Sequence, residues 1–166
     1  KVKESYNFVE YEKALKEKLY YYNNGKKESP KAVRQLANFS KKLLYGSFSE
    51  DIDYVKDEVK IYPIIFIHNR QLDILGLNNL INIWFEEETK LMIKESVNIS
   101  NLRFPTIICI DTFIELHEYI ARNELKLHEI IDDYQYFIDR NRIKTQKFPS
   151  TFELLENRSE EHTSEL

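Results

Sequence analysis

Two short apolar runs, separated by one long amphipathic stretch, set the main limit on what this chain can fold into. In "IYPIIFI", residues 61–67, six of the seven positions are apolar, and "TIICI", residues 106–110, repeats the theme. Neither run alternates with polar residues, which is how a strand covered on both faces reads. Between them Leu77, Leu80, Ile81, Trp84, Leu91 and Met92 recur at helical spacing over about 77–96. Strand, helix and strand in that order make a βαβ unit, whose strands run parallel and are joined by a right-handed crossover. The expected fold class is α/β: a partial, parallel-containing sheet flanked by helices. Two strands cannot make a sheet with helices on both faces, so further strands are expected upstream, and the fold is expected to be truncated at both ends. Pro63 cannot donate to a ladder and belongs at the start of its strand or on an edge.

Helices are expected around this unit. Over 7–22, Phe8, Tyr11, Leu15, Leu19 and Tyr22 form an apolar stripe, and "NNG" at 23–25 supplies the left-handed residues that end a helix. Ser29 and Pro30 look like the N-cap and first turn of a second helix over about 30–45, closed by Gly46. That helix would bury Val33, Leu36, Ala37, Leu43 and Leu44. Thr112 with Glu115 reads as a capping box opening another helix, and Leu127, Ile131, Tyr134 and Ile138 mark a further one over about 124–141. Ser150 with Glu153 offers one more capping box near the end of the chain.

The last nine residues, "RSEEHTSEL" (158–166), match the translation of a short-read sequencing adapter codon by codon, so they are expected to be a non-native tail. The first residue is Lys1 rather than methionine. Residues 1–157 then read as one incomplete domain, the natural prior for this length. Without the tail the balance moves from 24 basic against 28 acidic residues to 24 − 1 = 23 against 28 − 3 = 25, or −2. That total names no partner, but its distribution is uneven. Between Lys13 and Lys42 nine lysines and arginines face only Glu17 and Glu28. A local excess of that size suits nucleic acid or an anionic surface; the plainer account is two solvated helix faces.

Cys109 is the sole cysteine and sits in an apolar run, which excludes an intrachain disulfide and a cysteine zinc cluster. A buried structural thiol in a reducing, cytoplasmic compartment is expected. No apolar run nears the length of a membrane span, so no membrane partner is expected. The carboxyl ends of the two strands, where open α/β sheets take ligands, carry His68, Asn69 and Asp111, which could serve as acid, base or cation ligand or simply as strand-end and helix-capping residues. His117 and His128 lack a ligand spacing, and Glu86-Glu87-Glu88 reads as a solvated helix face. Phosphate-loop, dinucleotide, nucleophile-elbow and zincin motifs are all missing, and three glycines are too few for a phosphate cradle.

Taken in order, these segments resemble the latter half of a restriction-endonuclease-like domain of the PD-(D/E)xK type. "KVKES" corresponds to the end of the motif strand, "SPKAVRQLANFSKKL" to the helix after it, and the two apolar runs to later strands. Bacterial proteins of this style, often in defence settings, carry a stretch similar to Ile61–Leu80, with Gly76, Asn78 and Leu80 at the matching places. The resemblance implies a Mg²⁺-dependent DNA endonuclease in which carboxylates hold the ion, Lys3 helps position and activate water, and Gln35 is the helix's polar contributor. It also implies that Lys31, Arg34, Asn38 and Lys42 lie along the DNA backbone. With Lys3 as the motif lysine, position 1 is Lys1 where an acid belongs; with Lys1 in that role, the acid lies upstream. No metal-binding carboxylate is assigned in either register. The alternative is a non-catalytic α/β module that binds a protein partner through some other surface.

Overall fold

The computed structural model describes residues 8–23, 25, 28–47, 54–55, 57–68, 72 and 76–146. Its elements run α1 (Phe8–Leu19), β1 (Tyr21–Asn23), β2 (Glu28–Pro30), α2 (Ala32–Leu44), β3 (Ile64–Ile67), α3 (Leu77–Lys94), β4 (Thr106–Cys109), α4 (Ile110–Ala121) and α5 (Leu127–Gln146). The chain divides into two compact units, Lys1–Glu118 and Tyr119–Leu166. The fold is α/β, with a small parallel sheet, an antiparallel pair and flanking helices. No described helix is long and apolar enough to cross a membrane.

β3 and β4 run parallel, in register from Ile64 opposite Thr106 to Ile67 opposite Cys109. A parallel bridge between Ile61 and Leu102 extends the pairing upstream. Pro63 stands just before β3, and its carbonyl accepts the Thr106 N–H at 3.0 Å. Successive side chains of a strand point to opposite faces. Ile65 and Ile67 therefore enter the core while Phe66 between them is 48% exposed, with Phe113 edge-on at 5.0 Å. Cover on both faces was the sequence expectation; the outer face is only partly covered, with Thr106 buried and Phe66 half exposed. Cys109 is half-buried on that inner side, packed against the core.

The outer edge of β4 is closed in an unusual way. The buried Asn78, in the first turn of α3, donates from Nδ2 to the Pro105 carbonyl at 3.0 Å and accepts the Ile107 N–H at 2.8 Å through Oδ1. One side-chain amide thus supplies the donor and acceptor that a further strand would present to the start of β4. Nδ2 also reaches Asn82 Oδ1 at 3.1 Å, which keeps a second buried amide paired.

Several local expectations change. α1 stops at Leu19 rather than Tyr22, because Tyr21–Asn23 pairs antiparallel with Glu28–Pro30. Tyrosines favour a strand once a partner lies alongside. Gly25, at φ 81°, turns the chain between the two strands and donates its N–H to Asn23 Oδ1. Ser29 and Pro30 belong to β2, so Ser29 does not cap α2; Lys31 holds that place, with extended backbone and no side-chain cap. α4 begins at Ile110, directly from β4, which leaves Thr112 and Glu115 inside the helix instead of in a capping box. Asp111 in the first turn favours the helix N-terminus electrostatically. α5 starts at Leu127, three residues later than the spacing suggested, and the Ser150 box lies outside the described residues.

The helix ends share one device. Gly46 at φ 71° donates to the Leu43 carbonyl and Ser47 to that of Lys42, closing α2 with a left-handed cap. Ser96 (φ 64°) closes α3 in the same way, and Val97 after it packs into the core with Met92. In the second unit Asn123 (φ 59°) closes α4, and Ile131 and Ile138 are buried on α5. At the other end of α3, Gly76 takes the N-cap at φ 87°. A Cβ there would meet nothing within 4 Å, so any cost of adding one is conformational. Gly76→Ala should lower stability by about 1–2 kcal/mol in urea denaturation; an unchanged midpoint would mean that this left-handed turn is not fixed.

One core cluster serves the first unit, joining Leu15 and Leu19 of α1, Val33 and Ala37 of α2, Ile65 and Ile67 of β3, and a broad face of α3 from Leu77 to Met92. Leu91, expected on the apolar stripe, is 51% exposed, whereas Phe85 is buried.

Candidate nucleic-acid interface

α2 contains no acidic residue. At 3.6 residues per turn, Lys31, Gln35, Asn38 and Lys42 fall within an arc of roughly 60°, with Arg34 beside them. Val33, Ala37 and Ser40 occupy the opposite, buried side. Gln35, Asn38 and Lys42 are exposed, and Lys31 is half-buried with its Nζ 4.9 Å from the centre of the Tyr22 ring. Among the described residues Lys42 makes no ion pair. Three of the four backbone-contact candidates, Lys31, Asn38 and Lys42, therefore share one strip with Gln35. Lys3, the candidate catalytic lysine, lies outside the described residues.

Arg34 behaves differently from its neighbours. It forms an ion pair with Glu28, its Nε lies 3.3 Å from Glu88 Oε1, and its guanidinium sits 5.7 Å from the centre of the Tyr20 ring. The Glu88 side chain is only 12% exposed and accepts the Tyr20 hydroxyl at 2.7 Å. Burial and that hydrogen bond push the Tyr20 hydroxyl far above the ordinary tyrosine range, while Arg34 pulls it the other way. Arg34 thus ties β2, α2 and α3 together, and its charge is met by Glu28 and Glu88. Glu88 is correspondingly not part of a solvated run. The signal was present in the sequence: Glu88 follows Trp84 by four residues, so the two share one helix face.

At the far end of α2, Lys41 pairs with Glu95, and Tyr45 Oη donates to Glu95 at 3.5 Å. The hydrogen bond with Lys41 holds the Glu95 carboxyl below its ordinary range and raises Lys41. Lys41 Nζ lies 5.9 Å from the Tyr45 ring centre.

The other candidates do not assemble into a site. His68 is exposed just after β3, Asn69 lies outside the described residues, and Asp111 opens α4. His117 is exposed and its Nδ1 contacts the Ile114 carbonyl; His128 is exposed, with Nε2 4.0 Å from Glu129. Among the described residues no three His, Cys, Asp or Glu side chains come together to hold a metal ion. A cavity of about 180 Å³ near the C-terminal ends of α2 and α3 is lined by Tyr45, Asp57, Ser96, Asn98 and Asn101, among others, and by none of the candidate residues. No family model, curated protein or solved structure matches the chain.

Proposed function

We propose that this chain is the DNA-contacting part of an endonuclease-like protein, with the exposed strip of α2 lying along the phosphate backbone. The observation that carries the reading is the acid-free strip itself, in which Lys31 and Lys42 bracket the exposed amides of Gln35 and Asn38. Lysines neutralise phosphates and amides donate to phosphate oxygens, which positions nucleic acid without reading its sequence. Arg34 acts here as a positioning residue that holds α2 in place, not as a phosphate ligand. Hydrolysis rests on the resemblance alone. The described residues offer no acidic set that fits Mg²⁺, so they carry no cleavage step.

Two neutralised phosphates predict a slope of about −1.8 in log K against log salt on duplex DNA, or roughly a tenfold loss of affinity between 50 and 200 mM salt. Lys42→Ala should reduce that slope by about 0.9. Fluorescence anisotropy with the full chain reads both quantities. Salt-independent binding, or none at 50 mM, would remove α2 as a DNA surface. A second reading, a non-catalytic module that binds a protein, is favoured by two exposed apolar side chains, Phe66 of β3 and Ile114 of α4. Absence of DNA binding would leave that reading standing.

A further inference from the structure

The lysine strip of α2 is flanked at both ends by a tyrosine with a cation over its ring. At the N-terminal end Lys31 lies over Tyr22, and at the C-terminal end Lys41 lies over Tyr45. Both tyrosines are 49% exposed. Neither belongs to the core cluster, and Tyr22 sits on the three-residue strand β1, whose partner β2 leads into α2.

We propose that this face takes single-stranded nucleic acid, with Tyr22 and Tyr45 as stacking platforms at the two ends of the basic strip. The proposal rests on the backbone-contact reading above and makes it narrower. A duplex offers phosphates to lysines but keeps its base faces stacked away, so exposed tyrosine rings gain nothing from it. A single strand offers both, and alternating cationic and aromatic groups are how such strands are held without sequence preference. The spacing is suitable. The 13 residues of α2 rise about 20 Å, roughly six nucleotides at the stacked spacing of 3.4 Å and fewer in an extended strand. At Tyr22 the Lys31 ammonium adds cation–π attraction. At Tyr45, where Lys41 and the hydroxyl both engage Glu95, the exposed ring itself is what a base would stack on. An acidic peptide would satisfy the lysines equally well but has no use for the two rings.

The test compares binding of the full chain to a 12-nucleotide oligothymidylate, a 12-nucleotide oligouridylate, a 12-base-pair duplex and poly-glutamate at one salt concentration. Either single strand should bind at least about fivefold more tightly than the duplex or poly-glutamate. Tyr22→Leu and Tyr45→Leu should each weaken single-strand binding about fivefold or more while the salt slope stays the same. Tyr22→Phe and Tyr45→Phe, which keep the ring, should retain the affinity. Circular dichroism checks that each variant is folded, and if a leucine variant unfolds, the corresponding glutamine variant takes its place. Equal or tighter binding of the duplex, with leucine variants that bind normally, overturns the stacking proposal but leaves the salt-dependent basic face intact. Tighter binding of poly-glutamate overturns it in favour of an acidic protein. Loss of salt-dependent binding to every nucleic acid removes the underlying reading as well.

Discussion

Trp84→Ala is expected to lower stability by about 3–5 kcal/mol, the range for deleting a large buried aromatic side chain. Trp84 is 1% exposed and is the largest fully buried side chain of the fold. It stands on α3, where the buried residues of α1, α2 and β3 meet in one cluster. The Tyr20 ring lies 5.8 Å away, tilted by 30°, and Lys16 Nζ lies 5.7 Å from the indole. Truncation would leave a void that backbone elements cannot close without moving together. It would also withdraw the surface against which Tyr20 is held, loosening the Tyr20–Glu88–Arg34 connection. A loss of this size is a large share of the 5–15 kcal/mol typical of a domain. Trp84 is the chain's only tryptophan, so urea unfolding should be followed by circular dichroism rather than fluorescence. Ile83→Ala, one residue away but exposed, should cost less than about 1 kcal/mol. Equal effects at the two positions would contradict this orientation of α3.

The centre of the fold was legible because its signals are collective. Two apolar runs flanking a helical period leave few topologies, and the parallel pairing of β3 with β4 follows from chain order and crossover length. Pro63 and Gly46 were legible for the same reason: proline lacks a donor and glycine tolerates positive φ, so each is confined to few places. What escaped was structure decided by a pairing partner or by one residue's backbone conformation. Tyr21–Asn23 has the composition of a helix end, and only pairing with Glu28–Pro30 makes it a strand. Ser96 and Asn123 close helices as Gly46 does, but neither residue type announces a left-handed conformation strongly enough to read in advance. Thr112 and Glu115 had the right spacing for a capping box, yet β4 passes into α4 at Ile110 with no room for a cap between.

The candidate site divides along the same line. Lys31, Gln35, Asn38 and Lys42 share a face because they share a helix, a local property that periodicity fixes. Arg34 has the same local credentials. Its neighbours Glu28 and Glu88 come from a hairpin and from α3, and they convert a surface cation into a tie between elements. An arginine counted by sequence alone as available to phosphate is therefore committed elsewhere.

Asn78→Leu is expected to cost about 2–4 kcal/mol, although it places an apolar side chain of similar size in a buried position. Asn78 is 6% exposed, and its amide serves the Pro105 carbonyl and the Ile107 N–H together. Leucine can serve neither. The Ile107 N–H loses its acceptor, a loss of about 1–3 kcal/mol, and the bond to the Pro105 carbonyl goes with it. The added apolar contact offsets only part of that. Asn82 would also lose the hydrogen bond its Oδ1 receives from Asn78. Asn78→Asp separates the two halves of the clasp. It keeps an acceptor for Ile107 but sets a carboxylate against the Pro105 carbonyl, so it too should destabilise near neutral pH. The same substitution to leucine should expose the start of the outer edge of β4, making the variant more prone to self-association as an unprotected edge. Amide hydrogen exchange at Ile107 gives the most direct reading. It should become faster in Asn78→Leu by more than the change in global stability accounts for, because the N–H loses its own acceptor. A leucine variant with parent-like stability and a still-protected Ile107 amide would show that the edge is closed by something other than this side chain.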